Sequence, residues 1–335
     1  MSTVTMKDVA KLAAVSPRTV SNVVNGYLHV SDTVRARVLA AIDELEYRPN
    51  LLARNLRTGR THMLALIIPE IDVPYFSELA RDVIDVAGDA GYRVMIDQTA
   101  HDHERERELL VGNDRNMLFD GILFSPLVTQ SEIAEMDQAT TLPLVLLGEH
   151  TFTGRFDHIA IDNERAAHDA TQHLIDRGRR RIAAIGDQPL EDYQTPRQRT
   201  AGYLAALAKA GVTPDPALIV PAARYHRVDG YEAAARLLAE AGRPDAIFCY
   251  SDLLAMGAMR AVLDAGLRIP EDVAVVGIDD IEEGRFSNPS LTTVSIDKRH
   301  IAAASVHRLI ERIDSPDLPA VQIVVPHSLV VRGSS

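Results

Sequence analysis

The 335-residue chain holds one cysteine, Cys249, which excludes an intramolecular disulfide and any multi-cysteine metal site. No stretch approaches the roughly 18 consecutive apolar residues that a membrane-spanning helix requires. Met1 to Ala14 place Lys7, Asp8 and Lys11 among their apolar positions and lack the apolar core of a secretory leader. A cytoplasmic protein without a membrane partner is the expectation. The sequence marks of common enzymes are missing too. No glycines stand as G-x-G, which removes the dinucleotide fingerprint, and there is no G-x-x-x-x-G-K-[ST] phosphate loop, G-x-S-x-G turn or H-E-x-x-H zinc helix. His101 and His103, in His101-Asp-His-Glu-Arg-Glu-Arg-Glu108, come nearest to a metal pair, but their setting reads as a solvated, charged helix start. His173, His300 and His307 fall on helical patterns and read as surface or interface residues. No catalytic residue, metal or cofactor is expected.

The net charge of −12 argues against nucleic acid until the chain is divided. Residues 1–60 carry nine Lys/Arg against five Asp/Glu, a net of +4, which leaves −16 for the remainder. A small basic head on a large acidic body reads as a nucleic-acid module joined to something else.

The head contains three short helical patterns. Thr5 and Asp8 form a capping-box pair for a helix over 6–13. Ser16-Pro17 supplies a capping hydroxyl and a proline at the first helical position of a second helix, which runs to Asn25 and ends at Gly26. Ser31 caps a third, in which Val34, Val38, Ala41/Ile42 and Leu45 recur at helical spacing. The first two make a helix-turn-helix whose second helix presents Pro17, Arg18, Thr19, Ser21, Asn22 and Asn25. Arg suits guanine, Asn suits adenine, and hydroxyls suit phosphates. Asn50 can cap a further helix over Leu51–Arg57, too short to persist alone in water. Leu56 within it reads either as ordinary packing or as an apolar wedge for the minor groove, with Arg54 and Arg57 near phosphates.

From residue 61 strands and helices alternate. Strand candidates are 64–68, 92–97, 121–124, 144–147, 182–185, 246–250 and 273–277, with strand-like 321–325 and 329–331 near the end. Helix candidates are 76–90, 131–139, 163–178, 199–211, 228–241 and 252–266. The alternation implies parallel sheets covered on both faces, divided into two doubly wound lobes. Ligands of such lobes bind beyond the carboxyl ends of strands. Residues that fall there are the 69–76 loop with Tyr75 and Phe76, the segment leading to Arg197 and Arg199, Tyr250-Ser251-Asp252, and Asp279-Asp280. Asp and bidentate Arg suit vicinal hydroxyls, and an aromatic ring suits a sugar face. Structural readings stand beside these: Asp252 as a helix cap, Asp280 as a loop tie, and one of Arg197 and Arg199 in an ion pair.

Val4 to Gly26, Glu46-Tyr-Arg-Pro-Asn50, Leu52-Ala-Arg-Asn-Leu56, Ile161 to Ala167, Leu267 to Asp280 and Leu291-Thr-Thr-Val294 resemble, in order, the tracts of the lactose/galactose repressor (LacI/GalR) family. The resemblance implies a small all-α helix-turn-helix head on an α/β body of class I, periplasmic-binding-protein-like, with two doubly wound parallel-sheet lobes. It implies a homodimer, a near-palindromic double-stranded operator and a small effector, a sugar, between the lobes. The implied organisation is a head over 1–49, a hinge over 50–60 and a body over 61–335. The N-lobe spans about 61–161 and 292–320, and the C-lobe about 162–291 and 321–335. The implied DNA contacts are Ser16, Pro17, Arg18, Thr19, Ser21, Asn22, Asn25, Ser31, Asn50, Ala53, Arg54 and Leu56, the last as minor-groove lever. The implied effector contacts are Tyr75, Phe76, Arg197, Tyr225, Ser251 and Asp279. Pro17, Arg18 and Asn22 depart from the family's usual recognition residues, which shifts readout onto Arg18 and Asn22. Ser251 and Gly148-Glu149 depart where sugar binders often carry Asn and Asp. The absence of a leucine-heptad tail favours a dimer over a tetramer. The reading is a DNA-binding transcriptional regulator, a repressor under effector control and not an enzyme. The alternative is a solute-binding protein of the same body fold.

Overall fold

The computed structural model describes residues 4–24, 27, 29–47, 59–111, 118–126, 142–148, 156–188 and 194–335. The chain divides into two compact units, Met1–Thr61 and His62–Ser335.

The first unit packs α1 (Met6–Leu12), α2 (Pro17–Val24) and α3 (Asp32–Glu44) around Val9, Ala10, Ala13, Val20, Val23, Val38, Ala41 and Tyr47. Asp8 accepts the Thr5 N–H at 2.9 Å and the Thr5 hydroxyl at 2.7 Å. Between α1 and α2, Ala14 takes φ 50° and Val15 N–H returns to the Ala10 carbonyl. Ser16 Oγ accepts the Thr19 N–H at 3.1 Å, so the Ser-Pro start of α2 is built locally.

The second unit holds two six-stranded sheets. The first lobe contains β1 (Met63–Ile68), α4 (Pro74–Asp89), β2 (Arg93–Gln98), α5 (His103–Val111), β3 (Gly121–Phe124), β4 (Leu144–Leu147) and β5 (Asp157–Ile161). The second contains α6 (Asn163–Asp176), β6 (Ile182–Asp187), α7 (Gln194–Lys209), β7 (Ile219–Pro221), α8 (Arg227–Ala239), β8 (Ala246–Cys249), α9 (Asp252–Asp264), β9 (Ala274–Asp279) and α10 (Glu282–Phe286). β10 (Thr292–Ile296), α11 (Lys298–Asp314), β11 (Gln322–Val325) and β12 (His327–Val330) then shuttle between the lobes. The sheet orders are β11-β5-β4-β3-β1-β2 and β12-β10-β9-β8-β6-β7. Among the described residues, every pairing is parallel except β10 with β12. The reason is visible along β1: Leu64, Leu66 and Ile68 join the layer of Leu79 and Val83 on α4, while Ala65 and Ile67 join Leu109 and Leu110 of α5 on the other. A strand covered on both faces reads as an unbroken apolar run.

The lobe boundaries differ from the sequence expectation. Residues 292–296, expected in the N-lobe, form β10 beside β9 of the second sheet. Residues 322–325, expected in the C-lobe, form β11 beside β5 of the first. Only α11 of the 292–320 stretch lies with the first lobe, against α4 and β3. Pairing across the chain, not local pattern, sets these assignments. β5 and β10 are absent from the strand candidates because polar residues interrupt them. Asp157 opens β5 fully buried, held by Arg308 Nε at 2.9 Å and Arg312 Nε at 2.5 Å. Thr292 and Thr293 open β10, equally buried. The helix expected at 131–139 lies outside the described residues.

α8 and α9 cross at glycine. A Cβ at Gly257 would sit 1.9 Å from the Arg227 carbonyl oxygen, and one at Gly230 would sit 2.1 Å from that of Leu254. This approach fixes the start of α8 relative to that of α9.

Candidate functional site

In the head, Pro17 and Arg18 are exposed on α2, and Thr19 and Asn22 are half-buried. Ser21, expected among the presented residues, is only 8% exposed. The Ser16 and Thr19 hydroxyls bond each other at 2.9 Å. Ser31 occupies the N-cap position of α3 with φ −62° and ψ 146°, but its hydroxyl makes no cap bond and is exposed, which corrects the expectation that it caps. Arg35 Nη2 instead ties α3 back to the Tyr27 carbonyl at 2.7 Å. Asn25, Asn50, Ala53, Arg54 and Leu56 lie outside the described residues.

In the body, the carboxyl ends of both sheets carry the candidate effector residues. Tyr75 and Phe76 open α4, directly after the β1 loop, with rings edge-on at 5.1 Å. From the second lobe, Arg197 is exposed in the first turn of α7. Tyr225 is half-buried and donates its hydroxyl to the Gly186 carbonyl at 2.7 Å. Asp279 ends β9 with φ 119° and Asp280 follows with φ 50°. These are sparsely populated conformations for residues with a Cβ, and they occur where the surroundings impose them.

The acidic and hydroxyl groups divide the work differently from the sequence reading. Ser251, a candidate contact, is 5% exposed and caps α9, its hydroxyl accepting the Leu254 N–H at 3.2 Å. Asp252, read as the cap, is buried and accepts the Thr293 hydroxyl at 2.6 Å and the Ile281 N–H at 3.0 Å. Burial, then the charge of Asp279, pushes the Asp252 carboxyl well above the ordinary range. Asp280 ties its loop, accepting Arg332 Nη2 at 2.5 Å, the Ser295 hydroxyl at 2.9 Å and Arg285 Nη2 at 3.3 Å. Arg199 is the structural arginine of its pair. It is buried and donates to neutral oxygens, Asn163 Oδ1 at 2.8 Å and the Tyr250 carbonyl. Asp187, at the end of β6, accepts the Thr200 hydroxyl at 2.8 Å. That hydroxyl also meets the Tyr250 hydroxyl at 2.6 Å, and burial raises the latter's pKa.

Sequence reasoning missed several groups that bridge the lobes. Glu70, just beyond β1, is nearly buried; its Oε2 accepts His226 Nε2 from the start of α8 at 2.7 Å, and its Oε1 lies 3.4 Å from His101 Nε2. Burial holds His101 below the usual histidine range against the pull of Glu70. It stands exposed just before α5, as a charged, solvated helix start implies, and it also sits against that carboxylate. Lys298 Nζ meets Glu78 of α4 at 3.0 Å and lies 5.9 Å from the Tyr75 ring centroid. The sequence shows a loop containing Glu70 but gives no signal of a partner 156 residues away. A surface cavity of about 720 Å³, lined by Pro74, Glu78, Arg81, Met256, Glu282 and Phe286, includes none of the candidate effector residues. Among the described residues, no cluster of His, Cys, Asp and Glu could hold a metal, and no helix is long and apolar enough to cross a membrane.

Residues 5–50 match the family described as bacterial regulatory proteins, lacI family, and residues 171–335 match a periplasmic binding protein-like domain. The chain is 37% identical over 335 residues to the ribose operon repressor of Escherichia coli K12, covering 99% of each. It is 34% identical over 336 residues to catabolite control protein A of Priestia megaterium, again covering 99% of each. Among solved structures, the lac repressor dimer bound to operator and the anti-inducer ONPF superposes with a TM-score of 0.89 at 27% identity, covering 99% of each chain. The complex of the transcriptional regulator CelR with cellobiose superposes with a TM-score of 0.74 at 31% identity, covering 99% of this chain and 100% of that one.

Proposed function

The chain belongs to the LacI family of bacterial regulatory proteins, and from that premise we propose that it is an operator-binding repressor, not an enzyme, governed by a small carbohydrate held between the lobes of its body. It is a DNA-binding transcriptional regulator that acts in the cytoplasm as a homodimer. The head over 1–49 reads a near-palindromic operator through Arg18 and Asn22, and Leu56 of the hinge over 50–60 wedges into the minor groove. The observation that supports the effector reading is that Lys298 Nζ meets the Asp279 carbonyl of one lobe at 2.5 Å and lies 5.9 Å from the Tyr75 ring of the other, so groups that follow the carboxyl ends of β9 and β1 approach each other there. Phe76, Arg197 and Tyr225 are assigned to the same site by the reading itself. Carboxylates accept sugar hydroxyls, a guanidinium clamps them in pairs, and the rings cover the apolar sugar face.

Regulation follows by linkage. The sugar binds two lobe arrangements unequally, and the lobe angle sets how closely the dimer's hinges approach. The operator must therefore change sugar affinity by the same factor as the sugar changes operator affinity, typically ~5–150-fold. The test uses the full-length protein. D-ribose, cellobiose and a panel of free sugars are screened by thermal shift, since a bound ligand stabilises by RT ln(1 + [L]/Kd). The sugar that binds is then added to an operator-binding titration. Arg197→Ala and Asp279→Ala are expected to abolish the sugar response with operator affinity nearly intact. A wild-type response in both variants rejects this cleft, and specific DNA binding after removal of residues 1–60 rejects the head.

A further inference from the structure

Lys298 is the first residue of α11 and only 8% exposed. A lysine that is so buried needs partners, and this one has them from both lobes. Its Nζ donates to the Asp279 carbonyl at 2.5 Å and the Asp280 carbonyl at 3.3 Å. These are the two residues held at positive φ where β9 ends. The same ammonium meets Glu78 Oε2 of α4 at 3.0 Å. The other oxygen of that carboxylate, Oε1, accepts the N–H of Glu282, at the start of α10, at 3.0 Å. Glu78 stands one helical turn after Tyr75, and the Tyr75 ring lies 5.9 Å from Nζ.

We propose that Lys298 is a positioning residue of the effector cleft, holding the strained Asp279-Asp280 turn and, through Glu78, locking it to the helix that carries Tyr75 and Phe76. The Asp280 side chain is fixed separately by Arg332, Arg285 and Ser295. Lys298 fixes the backbone instead, and so the position from which Asp279 is presented. An occupant that draws on Asp279 therefore pulls on α4 through one ammonium and one carboxylate, and movement of α4 is felt at Asp279 and α10. The carbonyl bonds serve the second lobe, and the carboxylate bond joins it to the first. This inference rests on the reading of the cleft as the effector site, but its first test needs no effector.

Hydrogen–deuterium exchange is followed on the full-length protein without ligand, in wild type, Lys298→Met, Glu78→Gln and the double variant. Lys298→Met should speed exchange about tenfold or more across 279–286, as expected on losing hydrogen bonds to a charged group, and should also speed the start of α4. Glu78→Gln, a change in the other lobe, should speed 279–286 as well, and the double variant should add little to the stronger single one. Wild-type exchange at 279–286 in Glu78→Gln, or effects that simply add, overturns the lock. Glu78→Gln keeps the test decisive if Lys298→Met does not fold. A second arm titrates D-ribose, or whichever free sugar the screen identifies. Lys298→Met should weaken its binding at least about tenfold and remove the operator response even at saturation. A wild-type operator response at saturation in Lys298→Met refutes the proposal. Absence of any sugar binding to wild type defeats the effector reading alone, and the exchange arm then still decides the role of Lys298.

Discussion

Replacing Gly257 with alanine places a methyl group where α8 and α9 touch. Its Cβ would lie 1.9 Å from the Arg227 carbonyl oxygen and 2.7 Å from the Tyr231 nitrogen, while real Cβ contacts essentially never fall below 3.0 Å. Both atoms belong to the backbone, so no side chain can swing aside. The helices must part by roughly 1 Å, an overpacking that costs about 1–3 kcal/mol. Alanine offsets this by about 1 kcal/mol of helix propensity. A net loss near 1 kcal/mol corresponds to a fall in Tm of roughly 2–4 °C for a domain of this order of size. The functional consequence follows from position. Tyr225 and His226 immediately precede α8, and Ser251 caps α9, so the shift displaces one wall of the cleft by more than the about 0.5 Å a binding constellation tolerates. Sugar affinity should fall together with Tm. Calorimetric melts of the body transition and an isothermal sugar titration read both effects. Gly88 is the control: it lies in α4 with nothing within 4 Å of an added methyl, so Gly88→Ala should hold or raise Tm. A Gly257→Ala protein that melts higher than wild type, or melts lower with unchanged sugar affinity, refutes the reasoning.

Arg18→Ala should cost about 1–3 kcal/mol of operator discrimination, and a competition assay in which specific and random DNA are distinguished as well as by wild type would reject Arg18 as a reader. Leu56→Ala should lose specific affinity and DNA bending together while salt-dependent non-specific binding remains, because Arg54, Arg57 and Arg60 persist; retained bending in a gel-phasing assay would remove the lever. Asp252 has a folded pKa raised above the unfolded value of 3.8 by burial and then by Asp279, so its contribution to stability is lost as pH rises from 3.8 toward that raised value. Asp252→Asn keeps an oxygen for the Ile281 N–H without the titration. The Tm difference between wild type and variant should therefore move against wild type as pH rises through this window, and a pH-independent difference would show that Asp252 does not titrate there.

Short-range rules are written in the residues themselves. The Thr5/Asp8 and Ser16/Thr19 caps lie within one turn of the helices they start, and the described structure forms both. The unbroken apolar runs of β1, β3, β4, β6, β8 and β9 announce strands covered on both faces, and their alternation with amphipathic helices fixes a doubly wound body. The carboxyl ends of those strands are legible as the place to look. Relations between residues far apart in the chain are settled by tertiary contacts alone. Local pattern cannot say that β10 joins one sheet and β11 the other, because a strand's neighbour is chosen by the crossover that delivers it. Nor can it say that Asp157 meets two arginines more than 150 residues on. The burial of Ser21, the exchange of capping between Asp252 and Ser251, and the bridges Glu70–His226 and Glu78–Lys298 share that cause. A polar side chain announces its chemistry in sequence. Whether that chemistry faces a ligand, caps a helix or ties two lobes depends on which partner the fold brings within about 3 Å, the reach of a hydrogen bond.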